Sequence, residues 1–576
     1  MSRRRHAWAI RSTAAVAWLC AAALLRAQDA VTVCSEPDAP ASEVRRRPGV
    51  DSDAAQSVPC DPARMPQPKD GPWPAPTAVI DRWRLVEKLG RPVNLLDPYD
   101  ASNAIKGDRP LFGPDVFLNL SATSNTLLEP RRIPSSEQLS GTSGEIRTLP
   151  ADQFFLSQTA TFDAVLYKGD TVFRPPDWAW RFTPAINYSA TRSGSGTASG
   201  GVAAVQALYY ERHLRDVDVQ YDFDSARVGI QPLISDFRGF LLSDSPLGAR
   251  IFGTRSNNVI QYNLALVTRL PKDRVRLNDV AQKIPNDQVL LANVYWQDLF
   301  KAGTTSEFVF AFNRDRAASI PQLLLQNGTA SAATLDAGRA YDVAYLGYGI
   351  DGHFGRVNST GMVYGLVGHE SRGLLESQAT QVRALFAADE LSMDFDWRRV
   401  RLSMLHSSGD GDPHDRVAQG FDTLSSGALF AGSDSSFFFH QRLALAGGAF
   451  DLKSRDGLLP SLRPANNSIE ANFSNPGLDL LGLGLDLSLS PRWTLSLDAN
   501  QLWFDKTAPL DALLNQSDIP RRLGAEFVAD GIWRPFATQN VILRLSGAQL
   551  VSGPGYRALY GTGNPYSVFA LLIFNF

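Results

Sequence analysis

"YSVFALLIFNF" occupies residues 566–576, and its spacing decides how the rest of the chain is read. Wound as a helix it is apolar all round. Extended, it puts Tyr566, Val568, Ala570, Leu572, Phe574 and Phe576 on one face and Ser567, Phe569, Leu571, Ile573 and Asn575 on the other. A strand of this length can cross a bilayer, which takes about nine to eleven tilted residues. The same alternation recurs upstream. In "WAWRFTPAINYSA", Trp178, Trp180, Phe182, Pro184, Ile186, Tyr188 and Ala190 oppose Arg181, Thr183, Asn187 and Ser189. Aromatics sit at both ends of that apolar face, where bilayer interfaces favour them. In "NVIQYNLALVTR", Ile260, Tyr262, Leu264 and Leu266 oppose Gln261 and Asn263. In "RWTLSLDANQLWF", Trp493, Leu495, Leu497 and Ala499 oppose Thr494, Ser496, Asp498 and Asn500.

Counted along the chain, this pattern predicts an all-β fold: a transmembrane antiparallel β-barrel of about 18 strands (16–18). The connections sort by parity. "GTRS", "FKAG", "DGHF", "DWRR", "LSPR" and "PFATQ" are tight, while gaps such as 270–287, 314–340, 410–477 and 506–521 are long. Short turns on one side and long loops on the other are the habit of outer-membrane barrels, whereas a soluble sandwich or propeller has no reason to sort its loops. Residues 566–576 then form the closing strand, which pairs with the first and leaves no edge.

The remaining sequence divides simply. Residues 1–27 read as a signal peptide, with a basic start, an apolar stretch Ala14–Leu25 and a small residue at the cleavage point. Residues 28–98 read as a disordered or partly helical periplasmic arm, rich in Pro, Asp, Arg and Ser, with one short helix over "DRWRLVEKLG". Residues 99–576 form the barrel, with a long external loop at 410–477. No run of about 18 apolar residues follows the leader, so no membrane-spanning helix is expected. The net charge of −3 becomes more acidic once the leader's five arginines are removed, which argues against nucleic acid as a partner. Cys34 and Cys60 either pair across a short loop or stay as free thiols, and their spacing suits no metal site.

"SARVGIQPLISDFRGFLLSDSPLGARIFG", residues 225–253, resembles the strand–loop–strand of large bacterial porins. "SSGDGDPHDRVAQGFDTL", residues 407–424, resembles a loop of the alginate-export and related carbohydrate porins. The resemblance implies a porin-like barrel in the bacterial cell outer membrane. The C-terminal Phe576 resembles the signature of strands delivered to the barrel-assembly machinery. Outer-membrane lipids, that machinery and a small polar solute are therefore the expected partners.

Arg227, Gln231, Asp236, Arg238 and Arg250 cluster around the third loop and are the candidate constriction. Mixed charges across a narrow lumen set up a transverse field that selects by charge and shape. Arg181, Arg401 and Arg544 add positive charge to the wall, and Asp218, Asp222 and Asp224 are expected to offset it. Asp410, Asp412 and Asp415 alternate as calcium ligands do, without the spacing of a complete EF-hand. His406 and Ser408 in "LHSSG" have the His-x-Ser spacing of the outer-membrane phospholipase A family, but Gly409 stands where that family carries Asn. No P-loop, dinucleotide fingerprint, HExxH or nucleophile elbow occurs, so the chain is read as a non-enzyme without a cofactor. The expected function is a porin-like channel for small polar or anionic solutes. The alternatives are a barrel scaffold for a periplasmic or electron-carrying partner and a phospholipase-like hydrolase.

Overall fold

A strand with one apolar face needs apolar surroundings on one side only, and a sheet of such strands must close if hydrocarbon is to meet no free backbone group. The computed structural model meets both conditions. It describes residues 102–140, 147–169, 175–218, 222–316, 319–326, 329–375, 378–448, 450–464 and 470–576, with short pieces between 88 and 99. The expected leader, arm, short helix and cysteine pair lie outside the described residues.

Eighteen long strands form one closed antiparallel sheet, joined by a two-residue strand, Val417–Ala418, which pairs parallel to Gln381–Val382. The first nine barrel strands run Val116–Ser140, Arg147–Lys168, Trp178–Ser193, Gly196–Asp216, Phe223–Ile230, Leu247–Arg255, Ile260–Thr268, Asp287–Gln297 and Thr304–Asp315. The remaining nine run Tyr341–Phe354, Val357–Glu370, Thr380–Phe395, Arg398–Ser407, Leu478–Ser490, Trp493–Trp503, Arg522–Trp533, Val541–Ser552 and Tyr566–Asn575. Each pairs with its sequence neighbours, and the last pairs with the first from Thr123↔Asn575 to Arg132↔Tyr566. The seam continues through Phe576, whose amide donates to Ala122 O at 2.8 Å while the Ala122 amide donates back at 3.1 Å. Lys106 covers it, with Nζ on Leu120 O at 2.7 Å and 3.9 Å from the Phe576 ring centroid.

The predicted parity holds. Connections 256–259, 298–303, 355–356, 396–397, 491–492 and 534–540 lie at one end, and 231–246, 269–286, 408–477, 504–521 and 553–565 at the other. The tight turn 194–195 is an exception at the loop end. The predicted gap 314–340 is not plain loop, since it carries a separate hairpin, Ser319–Gln326 with Thr329–Gly338.

The faces also fall as the alternation requires. Phe182 (45 % exposed), Ile186 (60 %) and Leu264 (47 %) point outward, while Thr183, Ala185 and Asn187 are buried on the inner side. In the closing strand, Val568 and Phe574 are exposed and Ser567 and Phe569 are buried. Aromatics mark the short-turn end: Trp180 tilts on Tyr210 at 4.8 Å and Trp493 stacks on Trp533 at 5.6 Å.

Two irregularities matter. A single-residue shift at Thr183/Pro184 leaves Gln206 unpaired between Val205 and Ala207. The second was expected near Asp224–Ala226 but lies on the facing strand. That strand takes the extra residue, Leu214, between His213↔Ser225 and Arg215↔Asp224. One strand ends at Asp216 and the next begins at Phe223, which shortens the expected strand 216–231. Asp224 shares the outer face with Val228 and is held there by Arg215 Nε and Arg255 Nη2, each at 2.7 Å, and by the Tyr262 hydroxyl. It therefore does not offset the lumen's positive charge.

The outward register has a measurable consequence. Leu264→Arg should cost about 2–4 kcal/mol at mid-bilayer depth. The neighbouring Asn263→Arg points into the lumen and should cost only about 1 kcal/mol, for its hydrogen bond to Asn293. Equilibrium refolding in lipid vesicles measures both, and equal costs would contradict the register.

Candidate functional site

Two loops turn back from the loop end and pack against the inward-facing side chains of the wall. The first, 231–246, is organised by Asp236. Its carboxylate accepts the amides of Arg238 (3.1 Å), Phe240 (2.9 Å) and Leu241 (3.0 Å), the Ser235 hydroxyl (2.8 Å) and the Tyr364 hydroxyl from the wall (2.8 Å). The second, 408–477, lies against it through backbone bonds: Ser243 N to Ser425 O at 2.7 Å, Leu424 N to Leu241 O at 3.0 Å, and Gly427 N to Gly239 O at 3.1 Å. Phe240 meets Phe386 at 5.2 Å and Phe430 at 5.5 Å, and Phe386 stacks on Phe421 at 5.1 Å. These aromatic contacts bury apolar surface inside the barrel and make the two loops one plug.

The stretch "SSFFFHQRLALAGGAF" supplies the other half of the plug. Ser436 caps the turn Phe437–His440, accepting the Phe439 amide at 3.1 Å, and Phe437 and Phe438 are fully buried. The Phe438 amide donates to Glu526 on the wall at 2.8 Å. Lys453 Nζ is fully enclosed and donates to Phe439 O (2.8 Å), Gln441 O (2.7 Å) and Ser454 O (3.2 Å), so all three of its protons are used. Arg269, also buried, grips both oxygens of Asp287 at 2.7 Å and reaches Leu424 O at 2.7 Å. Arg544 joins Asp530 on the wall (2.7 Å) to Asp434 on the plug (2.6 Å).

The five predicted constriction residues each have their own partners. Arg227 pairs with Glu211 at 2.9 Å and lies 4.2 Å from the Tyr209 ring centroid. Arg250 is its cross-strand neighbour and lies 4.4 Å from the Phe252 ring centroid, inward as expected. Gln231 is buried on Gly248 O at 3.1 Å, and Asp236 is spent on its own loop. Arg238 bridges Glu390 (2.9 Å) and Leu429 O (3.1 Å), tying the plug to the wall. The inward arginines Arg181 and Arg401 are matched by acids, Asp163 at 2.7 Å and Asp486 at 2.8 Å.

Open space lies elsewhere, along the wall formed by Trp178–Ser193 and Gly196–Asp216. A cavity of about 440 Å³ is bounded by Gln206, Asp244, Lys272, Arg276, Asp434 and Asp456. Another, of about 500 Å³, is bounded by Asn187, Gly200, Arg274, Arg442 and Arg455. The two share Lys272, Arg276 and Leu458 in their walls. None of the five predicted constriction residues lines either cavity. Lys272 Nζ meets Asp244 and Asn278, while Arg276 donates to Asp456 O (2.6 Å) and Ser425 Oγ (3.1 Å). The sequence signal for this place was "PKDRVR", residues 271–276, with a basic side chain at every second position.

The other candidates resolve into structural roles. Asp412 Oδ1 accepts the His414 amide at 3.1 Å and Asp415 Oδ1 the Val417 amide at 2.6 Å, while Asp410 Oδ1 lies 3.4 Å from the Asp412 amide. These carboxylates cap their own loop. Ser408 Oγ donates to Gln419 O at 2.7 Å and accepts the Leu385 amide at 2.9 Å, whereas His406 Nδ1 faces Asp479 at 2.7 Å. His406 and Ser408, the pair behind the phospholipase-like alternative, are thus engaged with different partners. His406, Asp479 and Asp505 do cluster, but Arg521 and Lys506 already neutralise the two carboxylates.

No family model and no curated protein matches the chain. Solved structures do. The chain is similar to a BenF-like porin from Pseudomonas fluorescens Pf-5 at 10 % identity and TM-score 0.43, over 80 % of this chain and 98 % of that one. It is similar to OccK7 (OpdD) of Pseudomonas aeruginosa at 11 % identity and TM-score 0.43, over 80 % and 99 %. It is similar to OccAB4 of Acinetobacter baumannii at 10 % identity and TM-score 0.43, over 81 % and 99 %.

Two outcomes follow for the plug. Lys453→Met strands the buried carbonyls of Phe439 and Gln441, at about 1–3 kcal/mol each, and frees the half-buried Ser454 carbonyl. It should leave the barrel's strand content intact while making residues 425–460 cleavable by protease, and unchanged resistance would show that water replaces the ammonium. Burial pushes the Asp410 carboxyl up to about 6. Between its unfolded value of about 3.9 and that value the folded loop holds the extra proton, so the loop is firmest in acid and loses stability as pH rises through this window. Amide exchange in residues 408–421, corrected for intrinsic rates, should therefore be slower at pH 4.5 than at pH 7, and Asp410→Asn should remove the difference.

Proposed function

We propose that this barrel is an outer-membrane channel through which small anionic solutes pass beside the plug rather than through its centre. The observation that carries this reading is the pair of cavities that share Lys272, Arg276 and Leu458. The apolar outer belt and closed backbone ring suit a bilayer, and the cavities, each bounded by charged side chains, give a solute a wet route inside it. Phe439 is the sole aromatic residue bounding the two cavities. The larger sets Lys272, Arg274, Arg276, Arg442, Arg455 and Arg463 against Asp273, Asp279, Asp422 and Asp451, an excess of positive charge, whereas the smaller sets Lys272 and Arg276 against Asp244, Asp434 and Asp456. Sugars are favoured by aromatic platforms, and anions by guanidinium and ammonium groups. The resemblance of residues 225–253 to large bacterial porins thus extends, in this reading, to the barrel and its inward loops, and the resemblance of 407–424 to carbohydrate porins does not extend to the solute. The long-loop end faces the exterior, and the closing strand with Phe576 is the segment offered to the barrel-assembly machinery.

Single-channel recording of the refolded chain tests the proposal. The wild type should conduct with an anion-to-cation permeability ratio above one. Replacing both Lys272 and Arg276 with Gln should lower that ratio while preserving conduction, whereas Arg238→Ala should change it less. A closed wild-type barrel, or a ratio indifferent to the double substitution, would overturn the proposal.

A further inference from the structure

A charged side chain on the lipid-facing wall of a barrel is costly at mid-depth and tolerated near the interface. At the loop end of the outer wall, five neighbouring strands carry one polar row. Gln288, Arg314, Asp342, His369 and Gln381 pair in that order across Asp287–Gln297, Thr304–Asp315, Tyr341–Phe354, Val357–Glu370 and Thr380–Phe395. They share the outer face with the exposed Leu290, Phe310, Leu346, Val367 and Leu385. The next row down is Leu290, Phe312, Ala344, Val367 and Arg383. Charge in these two rows does not balance. Asp342 is their single carboxylate, and three groups share it: Arg316 at 2.6 Å, His369 at 3.6 Å and Arg314 at 3.8 Å. Arg383 reaches the Gln381 side chain at 3.0 Å. Arg314 and His369 keep 56 % and 67 % of their side-chain surface free. The neighbouring stretch of rim differs, since Asp479 and Asp505 are matched there by Arg521 and Lys506.

Below the row the wall has a hollow at Gly365. A Cβ there would meet nothing within 4 Å, and its register partners are Leu346 and Leu385. Val363 and Val367 are exposed on the same face of its own strand. We propose that this face binds a phosphorylated lipid of the external leaflet, with phosphate on Arg314, Arg316 and Arg383 and an acyl chain over Gly365. Guanidinium groups present paired N–H donors that match phosphate oxygens, and a cation at a membrane surface gains from an anionic headgroup. Between hydrocarbon groups there is no hydrophobic drive, so the chain is held by close packing against Leu346 and Leu385. The site belongs to the outer wall and needs no conduction. It rests on the outer-membrane placement above, with the long-loop end outside, and adds a lipid class and a place for it.

Thermal unfolding of the refolded full chain tests it, in uncharged detergent with a metal chelator and a titrated bisphosphorylated glycolipid. The midpoint should rise with that lipid and stay unchanged with the same glycolipid stripped of its phosphates. Replacing both Arg314 and Arg383 with Gln should weaken the apparent affinity about thirtyfold. Arg192→Gln, an exposed position across the barrel beside Phe154, should leave it unchanged. If the double variant does not refold, Arg383→Gln alone serves, because its contact is Gln381 and not a wall carboxylate, and the loss should be about fivefold. Equal stabilisation by the two lipids, an equal loss in Arg192→Gln, or the same midpoint shift with inorganic phosphate alone would overturn this inference. A wild type that conducts but does not distinguish the two lipids would overturn it and leave the channel intact. A closed barrel that still takes the phosphorylated lipid would overturn the channel reading and support this one.

Discussion

The closed ring of backbone hydrogen bonds is the constraint on which everything else depends. In hydrocarbon each unpaired N–H or C=O costs several kcal/mol, so a sheet can sit there only if it has no edge. Closure between Thr123–Arg132 and Tyr566–Asn575 meets this demand, and Phe576 and Lys106 extend it past the last ladder bond. Once the ring is closed, side-chain direction is no longer free. Odd and even positions on each strand are committed to opposite solvents, which is why Thr183 and Phe182, adjacent in sequence, live in such different surroundings.

A ring of this size leaves a wide lumen, and the chain fills part of it with apolar material. Phe240, Phe421, Phe430, Phe437 and Phe438 are as buried as any residue of a soluble core. The barrel therefore has an inner hydrophobic core as well as an outer apolar belt, and charged residues knit the first to the wall. Arg269, Arg544 and Lys453 meet acceptors on all sides, which is the condition under which buried cations are tolerable. The open space beside the plug lies along Trp178–Ser193 and Gly196–Asp216.

The barrel was legible because its signal is repetitive. Strict alternation, repeated strand after strand and checked by the parity of the connections, gave every one of the eighteen strands and, Asp224 apart, the faces read from them. The site was less legible because it is made of contacts between distant segments. Arg238 was placed in the lumen from its loop, but nothing local reveals that Glu390 would claim it. The reading of Asp224 as lumenal rests on a bulge in its own strand near Asp224–Ala226, but the extra residue, Leu214, lies on the facing strand, so the alternation from Asp224 to Arg227 is unbroken and Asp224 points outward. Lys272 and Arg276 were visible as an alternating basic run, yet a run of charges in a loop reads first as solvated surface. Pro184 was visible too, on the apolar face of the clearest strand. Its effect is felt at Gln206, which its own sequence surroundings do not distinguish.

Glu129 has a consequence for the order of assembly. It lies on the first strand, accepts the Ser567 hydroxyl from the last at 2.8 Å, and also receives Gln441 from the plug. Those partners are 438 and 312 residues away along the chain. Contacts of such separation are the slowest to form, because the loop-closure entropy must be met before they are made. The Glu129 cluster can be completed only after the first and last strands have met and the plug has entered. It therefore acts as a latch that sets late in biogenesis, and a barrel that closes with its plug outside would leave Glu129 with Ser567 and Arg131 but without Gln441, His440 and Arg455.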